Sequence, residues 1–555
     1  MDQLTSGTAK RPVIICLSQT GFLLAQRLAK GMDADIHGHA LRCPQAPYHF
    51  GKARAHIANL FSSGRPIIGI CAAGILIRAV APHLRHKSSD APVLAISESG
   101  RHVVPLIGGH HGAITLSRTV SEVLEAELAM TTAGDVRWRI SLDEPPAGWR
   151  LVNTGAAARV MPQLLAGDGA FLDGEALPEL NDWFAHVPRG SAVTLTATRQ
   201  QRTPTETQLV FCPQDILLGV GCARGAAADE VIDLVMAELQ AANINAASIV
   251  AVVTADIKAD EPAIHALASL LAVPVRVFDR DALGAETDRL ETPSQVVFDE
   301  IGVHGVAEAA ALAAAGPDGK LIHPKAKSGN ATMALAQAGT FPLTTLPGRK
   351  PGRVMLIGIG PGKAEWRTPE ASQMILGADE LVGYDLYIDL LGAAAAHIPR
   401  RDFKLGEEEA RCRYALESAA TGKDVAVICS GDAGIYAMGA LVYELLDRSQ
   451  DAGGVSSAAR RVTISTTPGI SALQAAAARS GAILGHDFCA ISLSDLLTPW
   501  AAIEKRIHAA GAGDFVVAFY NPVSRRRRTQ LAAARDILMQ YRGGDVPVLL
   551  ASSLG

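Results

Sequence analysis

The stretch VMLIGIGPGKAEWRTPEASQMILGADELVGYDLY, residues 354–387, decides the fold of the last third of the chain. Its apolar run 354–357 predicts a buried strand, and the glycines and proline that follow predict a tight turn. Thr368-Pro369-Glu370 is typical of a helix start, with Thr as N-cap and Pro at the first helical position. The helix is predicted to run to about Asp379, and a second strand to cover 380–383. The segment is therefore a strand, a glycine turn and a crossover helix.

The glycine turn is not the dinucleotide-binding fingerprint, because Pro361 interrupts it and residues 363–366 separate it from the helix. Alone, GIGPG is better explained as an ordinary tight turn. Two related units follow: the apolar run 425–429 ends in SGDAGIY, and the run 462–465 ends in TTPGISA. Small residues and Asp thus follow several predicted parallel strands, at the carboxyl edge where open α/β sheets bind ligands.

Five ordered motifs carry a family resemblance: GIGPG (358–362), VGYDLYID (382–389), SGDAGIYAM (430–438), TTPGISALQAAAA (466–478) and FYNPVSRRR (519–527). From about residue 352 onward the chain resembles the tetrapyrrole (corrin and porphyrin) methyltransferases, and most of all those that methylate C-17 of precorrin-3B. The resemblance implies a two-subdomain fold with S-adenosylmethionine bound in the cleft between the subdomains. It also implies C-17 methylation with ring contraction, which gives precorrin-4.

Methyl transfer to an electron-rich ring carbon needs alignment more than a strong base. We expect the donor on the backbone of two turns, with further residues lining the same cleft: Gly360, Pro361, Gly362, Gly431, Asp432, Ala433 and Gly434, then Thr466, Thr467 and Pro468. Asp385 and Asp432 could hold polar groups of the donor, although a helix cap is the alternative for Asp432. Ring contraction requires proton transfers, for which Tyr520 and Asn521, then Ser494 and Asp495, are candidates.

The first 337 residues alternate strands and helices, which predicts further open α/β domains. We predict an N-terminal α/β domain at 1–142, a connecting subdomain at 143–212 and a second α/β domain at 213–337. A proline-punctuated linker at 338–351 then leads into the methyltransferase domain at 352–555. The predicted fold class is α/β, with several open α/β domains.

This part carries a second resemblance, on GICAAGILIRAVAPHL (69–84), PLIGGHHGAITL (105–116), LLGVGCARG (217–225), TADIKADE (254–261), TPSQVVF (292–298), GVHGVAEAAAL (302–312) and HPKAKSGNAT (323–332). It resembles the cobalamin-biosynthesis lactone hydrolases that act on cobalt-precorrin-5A. That family opens a ring-A δ-lactone and releases a two-carbon aldehyde. Where its S-G-H-x-G-G-A-N pattern is expected, residues 108–115 read GGHHGAIT, so a hydroxyl and an amide are missing.

Water attack on a lactone requires a base and an oxyanion donor. Glu98 or His110 could be the base, and N–H groups of the GGHHG turn could stabilise the oxyanion. Lys258, Asp260 and Glu261 are alternatives, and Glu98 could also be a simple hairpin acid. We predict no metal site, because the adjacent His110 and His111 in one turn cannot easily face the same ion.

Bulk properties limit the partners and the compartment. A net charge of −5 gives no sign of a nucleic-acid partner. The densest basic run, 525–528, could bind substrate carboxylates or be a solvated helix start. Eight cysteines without C-x-x-C spacing, no apolar run of membrane-span length and no signal core predict a cytoplasmic protein, and a homodimer stays open.

The leading hypothesis is a bifunctional enzyme of corrin-ring synthesis that both methylates and opens a lactone. The alternative keeps the methyltransferase and makes residues 1–337 a non-catalytic module that binds tetrapyrrole. A nucleotide-binding regulator, which rests only on the glycine turns, is the third class. The run PVLLASS at 547–553 predicts a central strand, and we expect the C-terminal subdomain to be truncated after it.

Overall fold

The computed structural model describes residues 10–85, 90–109, 112–130, 137–138, 142–143, 145–167, 169–174, 180, 183–343, 345–496, 498–524, 527–552 and 554. These residues form two compact units. The first runs to Gly352 and includes 420–423 and 457–463. The second comprises Arg353–Ala419, Asp424–Ser456 and the residues from Ile464 onward.

The first sheet of unit one has seven strands: β1 (Val13–Cys16), β2 (Asp35–His39), β3 (Tyr48–Phe50), β4 (Ile67–Ile70), β5 (Val93–Ile96), β6 (His102–Ile107) and β7 (Glu127–Leu128). Their order is β3-β2-β1-β4-β5-β6-β7. The accompanying helices are α1 (Gln19–Gly31), α2 (Ala53–Ser62), α3 (Ala73–Val80) and α4 (Ala113–Leu124). Strands β1, β4 and β5 are apolar and fully buried, as expected for strands covered on both faces.

The direction of β6 decides which loops of this sheet can meet. Neighbouring strands are parallel except β5 and β6, which are antiparallel with Val93 opposite Ile107 and Ile96 opposite Val103. The carboxyl end of β6 therefore lies beside the start of β5. The loop after β5 and the loop after β6 lie at opposite ends of the strands.

A second, four-stranded sheet contains β8 (Trp149–Leu151), β9 (Ala170–Gly174), β10 (Val193–Ala197) and β11 (Gln208–Pro213), in the order β8-β11-β10-β9. Helix α5 (Thr154–Ala166) packs on it through Val160 and Leu164, which belong to the same core as Trp149 and Phe211. The weak pattern that predicted a connecting segment thus belongs to a small sheet with its own hydrophobic core.

The third sheet of unit one comprises β12 (Ile216–Cys222), β13 (Ile249–Ala255), β14 (Val275–Phe278), β15 (Lys320–Lys327) and β16 (Ala331–Gln337), in the order β14-β13-β12-β16-β15. Its helices are α6 (Ala228–Ala241), α7 (Pro262–Leu271), α8 (Arg280–Gly284), α9 (Gln295–Ile301) and α10 (Ala307–Ala315). Strands β12, β13 and β14 are parallel, whereas β15 and β16 form an antiparallel hairpin beside β12. The polar alternation of HPKAKSGN gave no sign of this hairpin.

Unit two contains a five-stranded and a two-stranded sheet. The larger has β17 (Arg353–Gly358), β18 (Glu380–Tyr384), β19 (Arg400–Phe403), β20 (Asp424–Cys429) and β21 (Thr463–Thr467), in the order β19-β18-β20-β17-β21. The smaller pairs β22 (Phe488–Ser492) with β23 (Val516–Tyr520) in parallel. The helices are α11 (Pro369–Leu376), α12 (Asp385–Asp389), α13 (Glu408–Ala420), α14 (Gly439–Asp447), α15 (Ala472–Ser480), α16 (Trp500–Ala512) and α17 (Gln530–Leu538).

The local predictions for 354–387 are confirmed, with one change of length. Thr368 caps α11 by accepting a hydrogen bond from the Ala371 N–H, and Pro369 is the first helical residue. The helix ends at Leu376, earlier than predicted, because Gly377 and the following residues turn the chain into β18.

The strand predicted at 547–553 is wrong for the residues that the structure describes there. Residues 547–552 form no strand, and the side chains of Val548 and Leu550 are 93% and 86% exposed. An apolar run becomes a strand only when a neighbour pairs with its backbone, and among the described residues β22 and β23 pair only with each other. Over the described part of the chain, no helix combines the length and apolar character needed to span a membrane.

Candidate functional site

Two glycine turns meet at the carboxyl edge of the larger sheet in unit two. Strands β17 and β20 are parallel neighbours, with Gly358 opposite Cys429. Just beyond them, the backbones of Gly360 and Gly431 exchange both hydrogen bonds, at 3.1 and 2.9 Å. Both glycines have positive φ, +71° and +67°, a conformation that costs little only without a side chain. The two turns are therefore held as one backbone platform.

A third turn, after β21, packs directly on this platform through Gly469. A Cβ atom on Gly469 would lie 2.0 Å from the carbonyl oxygen of Gly431 and 2.8 Å from the carbonyl carbon of Gly358. No side chain fits at that distance. The sequence motifs contained Gly469 but gave no signal that it contacts the other two turns.

Asp432 joins the second turn to the third. Its Oδ1 accepts a hydrogen bond from the Gly434 N–H at 2.8 Å, and its Oδ2 accepts one from the Gly469 N–H at 3.0 Å. The alternative role of helix cap is wrong, because α14 begins only at Gly439. Asp432 stabilises the shape of the platform, and its remaining lone pairs stay able to accept from a ligand.

The substitution Asp432→Asn tests whether Asp432 stabilises the shape of the platform. The amide has one neutral oxygen, so either the Gly434 or the Gly469 N–H loses its acceptor and the other loses a charged one. We expect about tenfold weaker binding of S-adenosylhomocysteine in calorimetry, with a melting temperature within a few degrees of wild type. Unchanged affinity in D432N would contradict the role.

The other residues predicted to bind the methyl donor differ in their exposure and in their hydrogen bonds. Thr466 and Pro468 are exposed, whereas Thr467 is buried and its hydroxyl donates to Glu370 Oε2 at 3.3 Å and lies 3.4 Å from the Thr368 hydroxyl. The side chain of Thr467 thus ties β21 to the start of α11 instead of facing a cleft. Asp385 is exposed after β18 and accepts from the Leu386 N–H at 2.6 Å.

Two tyrosines connect the glycine turns to the smaller sheet. Tyr436, in the turn after β20, donates its hydroxyl hydrogen to the Ala490 carbonyl at 2.8 Å, and its ring lies 5.0 Å from that of Tyr520. The Tyr520 hydroxyl accepts from the Leu473 N–H at 3.1 Å, in the first turn of α15. Sequence reasoning missed Tyr436, which has a φ of +51°, a rare conformation for an aromatic residue.

The hydrogen bond to Leu473 indicates that Tyr520 positions the start of α15. The substitution Tyr520→Phe distinguishes this positioning role from a role of Tyr520 as a general acid. Removal of the hydroxyl leaves one helix N-terminal N–H without its partner, so we expect about 1 kcal/mol lower stability. We expect kcat for methyl transfer to stay within about tenfold of wild type, measured over a pH series. If kcat instead falls more than about 100-fold at unchanged stability, Tyr520 is the proton donor.

Arg527, in the basic run after β23, folds inward, whereas Arg528 is exposed. Arg527, with a side chain 12% exposed, donates to the Asn521 carbonyl and to the Ser494 hydroxyl, both at 2.8 Å, and lies 3.6 Å from Asp495 Oδ1. For Arg527, a solvated helix start is therefore wrong, whereas the binding of substrate carboxylates stays a prediction. Arg525 and Arg526 lie outside the described residues.

The carboxyl ends of β22 and β23 thus hold the four proton-transfer candidates together. Asn521 Nδ2 donates to the Ser492 hydroxyl at 3.2 Å, and Ser492 lies directly opposite Tyr520. A hydrogen bond from the Gln530 side chain is the main cause that lowers the pKa of Asp495. An acid with a lowered pKa is ionised near neutral pH, so Asp495 is a poor proton donor.

In the first sheet of unit one, Glu98 and the described start of the GGHHG turn lie at opposite ends of the strands. Glu98 is exposed after β5 and accepts a hydrogen bond from the Ser18 hydroxyl. Gly108, which opens the GGHHG turn, follows β6 at the opposite edge, where it packs on Pro92. His110 and His111 lie outside the described residues. Because β5 and β6 are antiparallel, Glu98 does not lie beside the described residues of that turn, and the role of His110 stays a prediction.

The alternative residues of the third sheet do come together. Arg224 donates to Asp260 at 2.8 Å, and its Nε lies 3.0 Å from Glu261 Oε1. Glu261 Oε2 also accepts from the Gly225 N–H at 3.1 Å. Both carboxylates follow β13 and are paired, which is the arrangement of a structured charged site rather than of a free surface loop. No group of three or more metal-ligating side chains occurs in the described residues.

Three family models match the chain. Residues 353–555 match the tetrapyrrole (corrin/porphyrin) methylases. Residues 55–135 match the N-terminal part, and residues 216–336 the C-terminal part, of cobalamin synthesis G proteins.

Curated relatives match the last third of the chain. The probable cobalt-factor III C(17)-methyltransferase of Salmonella typhimurium is 46% identical over 36% of this chain and 79% of its own length. The chain belongs to the tetrapyrrole methylases. The precorrin-3B C(17)-methyltransferase of a Sinorhizobium species is 40% identical over 37% of this chain and 78% of its own. A tetrapyrrole methylase domain is thus fused to both parts of a cobalamin synthesis G protein, as predicted.

The shared length differs between relatives. The cobalt-factor III methyltransferase of Priestia megaterium is 45% identical, but the chain spans only 36% of its length. Tetrapyrrole methylases use S-adenosylmethionine. A Cβ atom on Gly431 would lie 3.6 Å from Ser471 Cα and 3.9 Å from the Ala472 nitrogen, so the turn after β20 packs on the start of α15.

Proposed function

We propose that residues 353–555 transfer a methyl group from S-adenosylmethionine to C-17 of a precorrin-3B or cobalt-factor III tetrapyrrole, with contraction of the ring. One observation carries this proposal: three backbone turns, from β17, β20 and β21, pack on one another at a single carboxyl edge. Such an edge binds ligands through backbone groups. The names of the Salmonella and Sinorhizobium relatives support the substrate class.

The donor supplies an electrophilic methyl group on a sulfonium ion. In the proposed site, backbone groups of Gly360, Pro361 and Gly362 and of 431–434 hold the donor, while Asp432 keeps these turns in place. Thr466, Pro468 and Asp385 border the same edge, and Thr467 contributes by fixing α11. Alignment of the ring carbon with the methyl group then provides most of the rate.

The tetrapyrrole is proposed to lie toward the ends of β22 and β23. Tyr520 bonds the smaller sheet to the start of α15 through Leu473, and Asn521 bonds the end of β23 to β22 through Ser492. Arg527 fixes the Asn521 backbone and so keeps this edge rigid. We place the reaction in the cytoplasm, which the eight free cysteines support.

For residues up to 336 we propose opening of the lactone of cobalt-precorrin-5A, which the matches to both parts of cobalamin synthesis G proteins support. A non-catalytic module that binds tetrapyrrole is the second candidate. The missing hydroxyl and amide in 108–115, and the separation of Glu98 from that turn, favour it.

One experiment tests both halves. The full chain is incubated with isotope-labelled S-adenosylmethionine and precorrin-3B or cobalt-factor III, and the tetrapyrroles are analysed by mass spectrometry. A labelled, ring-contracted product supports the methyl transfer, and its absence with both substrates overturns it. Release of a two-carbon aldehyde from cobalt-precorrin-5A supports the lactone opening, whereas binding without release favours the module.

A further inference from the structure

Tyr436 has a backbone conformation that its side chain does not favour. It lies in the turn between β20 and α14 with a φ of +51°, in the left-handed region that suits glycine or asparagine. The residue is 51% exposed, so burial in a core does not account for an aromatic side chain at this position. Backbone strain of this kind persists where surrounding contacts hold it, and it is concentrated at functional sites. The contacts of the side chain therefore have to explain why a tyrosine occupies this turn.

Those contacts join the turn to the smaller sheet. The Tyr436 hydroxyl donates to the Ala490 carbonyl of β22 at 2.8 Å. The Tyr436 ring lies 5.0 Å from the ring of Tyr520, the last residue of β23, with the two planes tilted by 46°. One side chain thus contacts both strands of the sheet, near the edge where the tetrapyrrole is proposed to lie.

The backbone of the same turn closes on itself directly before Tyr436. Asp432 Oδ1 accepts a hydrogen bond from the Gly434 N–H at 2.8 Å. The Asp432 carbonyl accepts one from the Ile435 N–H at 3.3 Å. Because Ile435 is bonded back to Asp432, Tyr436 has little freedom to move independently of 431–434. These are the residues that are proposed to hold the methyl donor.

We propose that Tyr436 is a positioning residue that couples donor binding to the placement of β22 and β23. A donor bound to 431–434 restrains the backbone before Tyr436, and the Tyr436 side chain extends this restraint to Ala490 and Tyr520. Donor and tetrapyrrole then strengthen each other's binding, because a segment that one ligand has ordered costs less to order for the other. The inference rests on the proposed function for the location of the donor, and it adds how the two subsites are aligned.

Hydrogen exchange of the full chain, with and without saturating S-adenosylhomocysteine, tests the coupling. In wild type we expect the ligand to slow exchange of the amides of 490–492 and 518–520 by about fivefold, the equivalent of one net hydrogen bond. Tyr436→Phe loses the bond to Ala490 and should lose this slowing, while calorimetry gives it the wild-type affinity for S-adenosylhomocysteine. The matched control is Tyr443→Phe, since Tyr443 is 54% exposed on α14 of the same unit. It should respond like wild type.

Tyr436→Asn separates the side-chain link from the shape of the turn. Asparagine accepts a positive φ, so the turn keeps its conformation while both contacts to the smaller sheet are lost. We expect this variant to bind S-adenosylhomocysteine like wild type without slowing exchange at 490–492, and it replaces Tyr436→Phe if that variant does not fold. A purely structural Tyr436 would instead speed exchange at 490–492 in both states and leave the effect of the ligand unchanged.

Kinetics with isotope-labelled S-adenosylmethionine give the second readout. Loss of alignment should lower kcat of Tyr436→Phe about tenfold and leave the KM for the donor unchanged. The inference is overturned if S-adenosylhomocysteine does not slow exchange at 490–492 in wild type, if it slows exchange equally in wild type and Tyr436→Phe, or if the Tyr436 variants lose affinity for it. Absence of a labelled product from wild type overturns the proposed function alone, since the exchange measurement does not require the tetrapyrrole.

Discussion

Gly469→Ala is expected to abolish binding of S-adenosylhomocysteine, with at least a 100-fold loss of affinity in calorimetry. The added Cβ would lie 2.0 Å from the Gly431 carbonyl oxygen and would force the turn after β21 away from the other two. The Gly469 N–H would then also move from Asp432. Since three turns form the proposed donor site together, displacement of one removes the shape that the ligand needs.

The matched control for this prediction is Gly544→Ala in the same unit, where no atom lies within 4 Å of the new Cβ. It should bind like wild type. If Gly469→Ala does not fold, the same prediction is tested with Gly431→Ala. The Cβ added at Gly431 would have its nearest neighbour at 3.6 Å, so the only strain is that of the positive φ of +67°, about 1 kcal/mol. We expect about tenfold weaker binding for Gly431→Ala, and wild-type affinity in either variant contradicts the donor site.

Glu308→Gln is expected to destabilise the third sheet by about 3 kcal/mol. Glu308 is 2% exposed, and its carboxylate accepts four hydrogen bonds: from the N–H groups of Glu291 and Thr292, from the Thr292 hydroxyl and from the Lys325 N–H. These tie α10 to β15 and to the segment before α9. A Gln side chain has one acceptor oxygen, and its NH₂ group would face donors.

Hydrogen exchange on the full chain measures this effect locally. The amides of 291–292 and 325 should exchange about 100-fold faster in Glu308→Gln. Glu300→Gln, an exposed acid on the neighbouring α9, is the control and should leave these rates unchanged. Equal protection in Glu308→Gln and wild type would show that the carboxylate does not hold these segments.

The same carboxylate makes the sheet sensitive to acid. Burial raises the pKa of Glu308, but the hydrogen bonds from Lys325, Thr292 and Glu291 outweigh burial, and the pKa lies below its ordinary value. This stabilisation is therefore complete above the unfolded pKa of about 4.3 and is lost as pH falls through the lower, folded value. Protection of the Lys325 amide should decrease over that window in wild type but not in Glu308→Gln.

The sequence by itself determined the local secondary-structure elements and the two protein families that the chain resembles. The apolar run before Gly358, the Thr368 cap and the helix start at Pro369 depend on neighbours in the chain, so local rules predicted them correctly. Ordered motifs carry the same kind of information, and both family resemblances are confirmed at the level of the family. The glycines of the turns are local features of the same kind, and they predicted a ligand site at the carboxyl ends of the strands.

Only the tertiary structure decided which of these residues meet. The contact of Gly469 with Gly431, the bond of Tyr520 to Leu473 and the inward fold of Arg527 join segments that are distant in sequence. The antiparallel pairing of β5 and β6 separated Glu98 from the glycine turn, because strand direction depends on which edge the chain returns to.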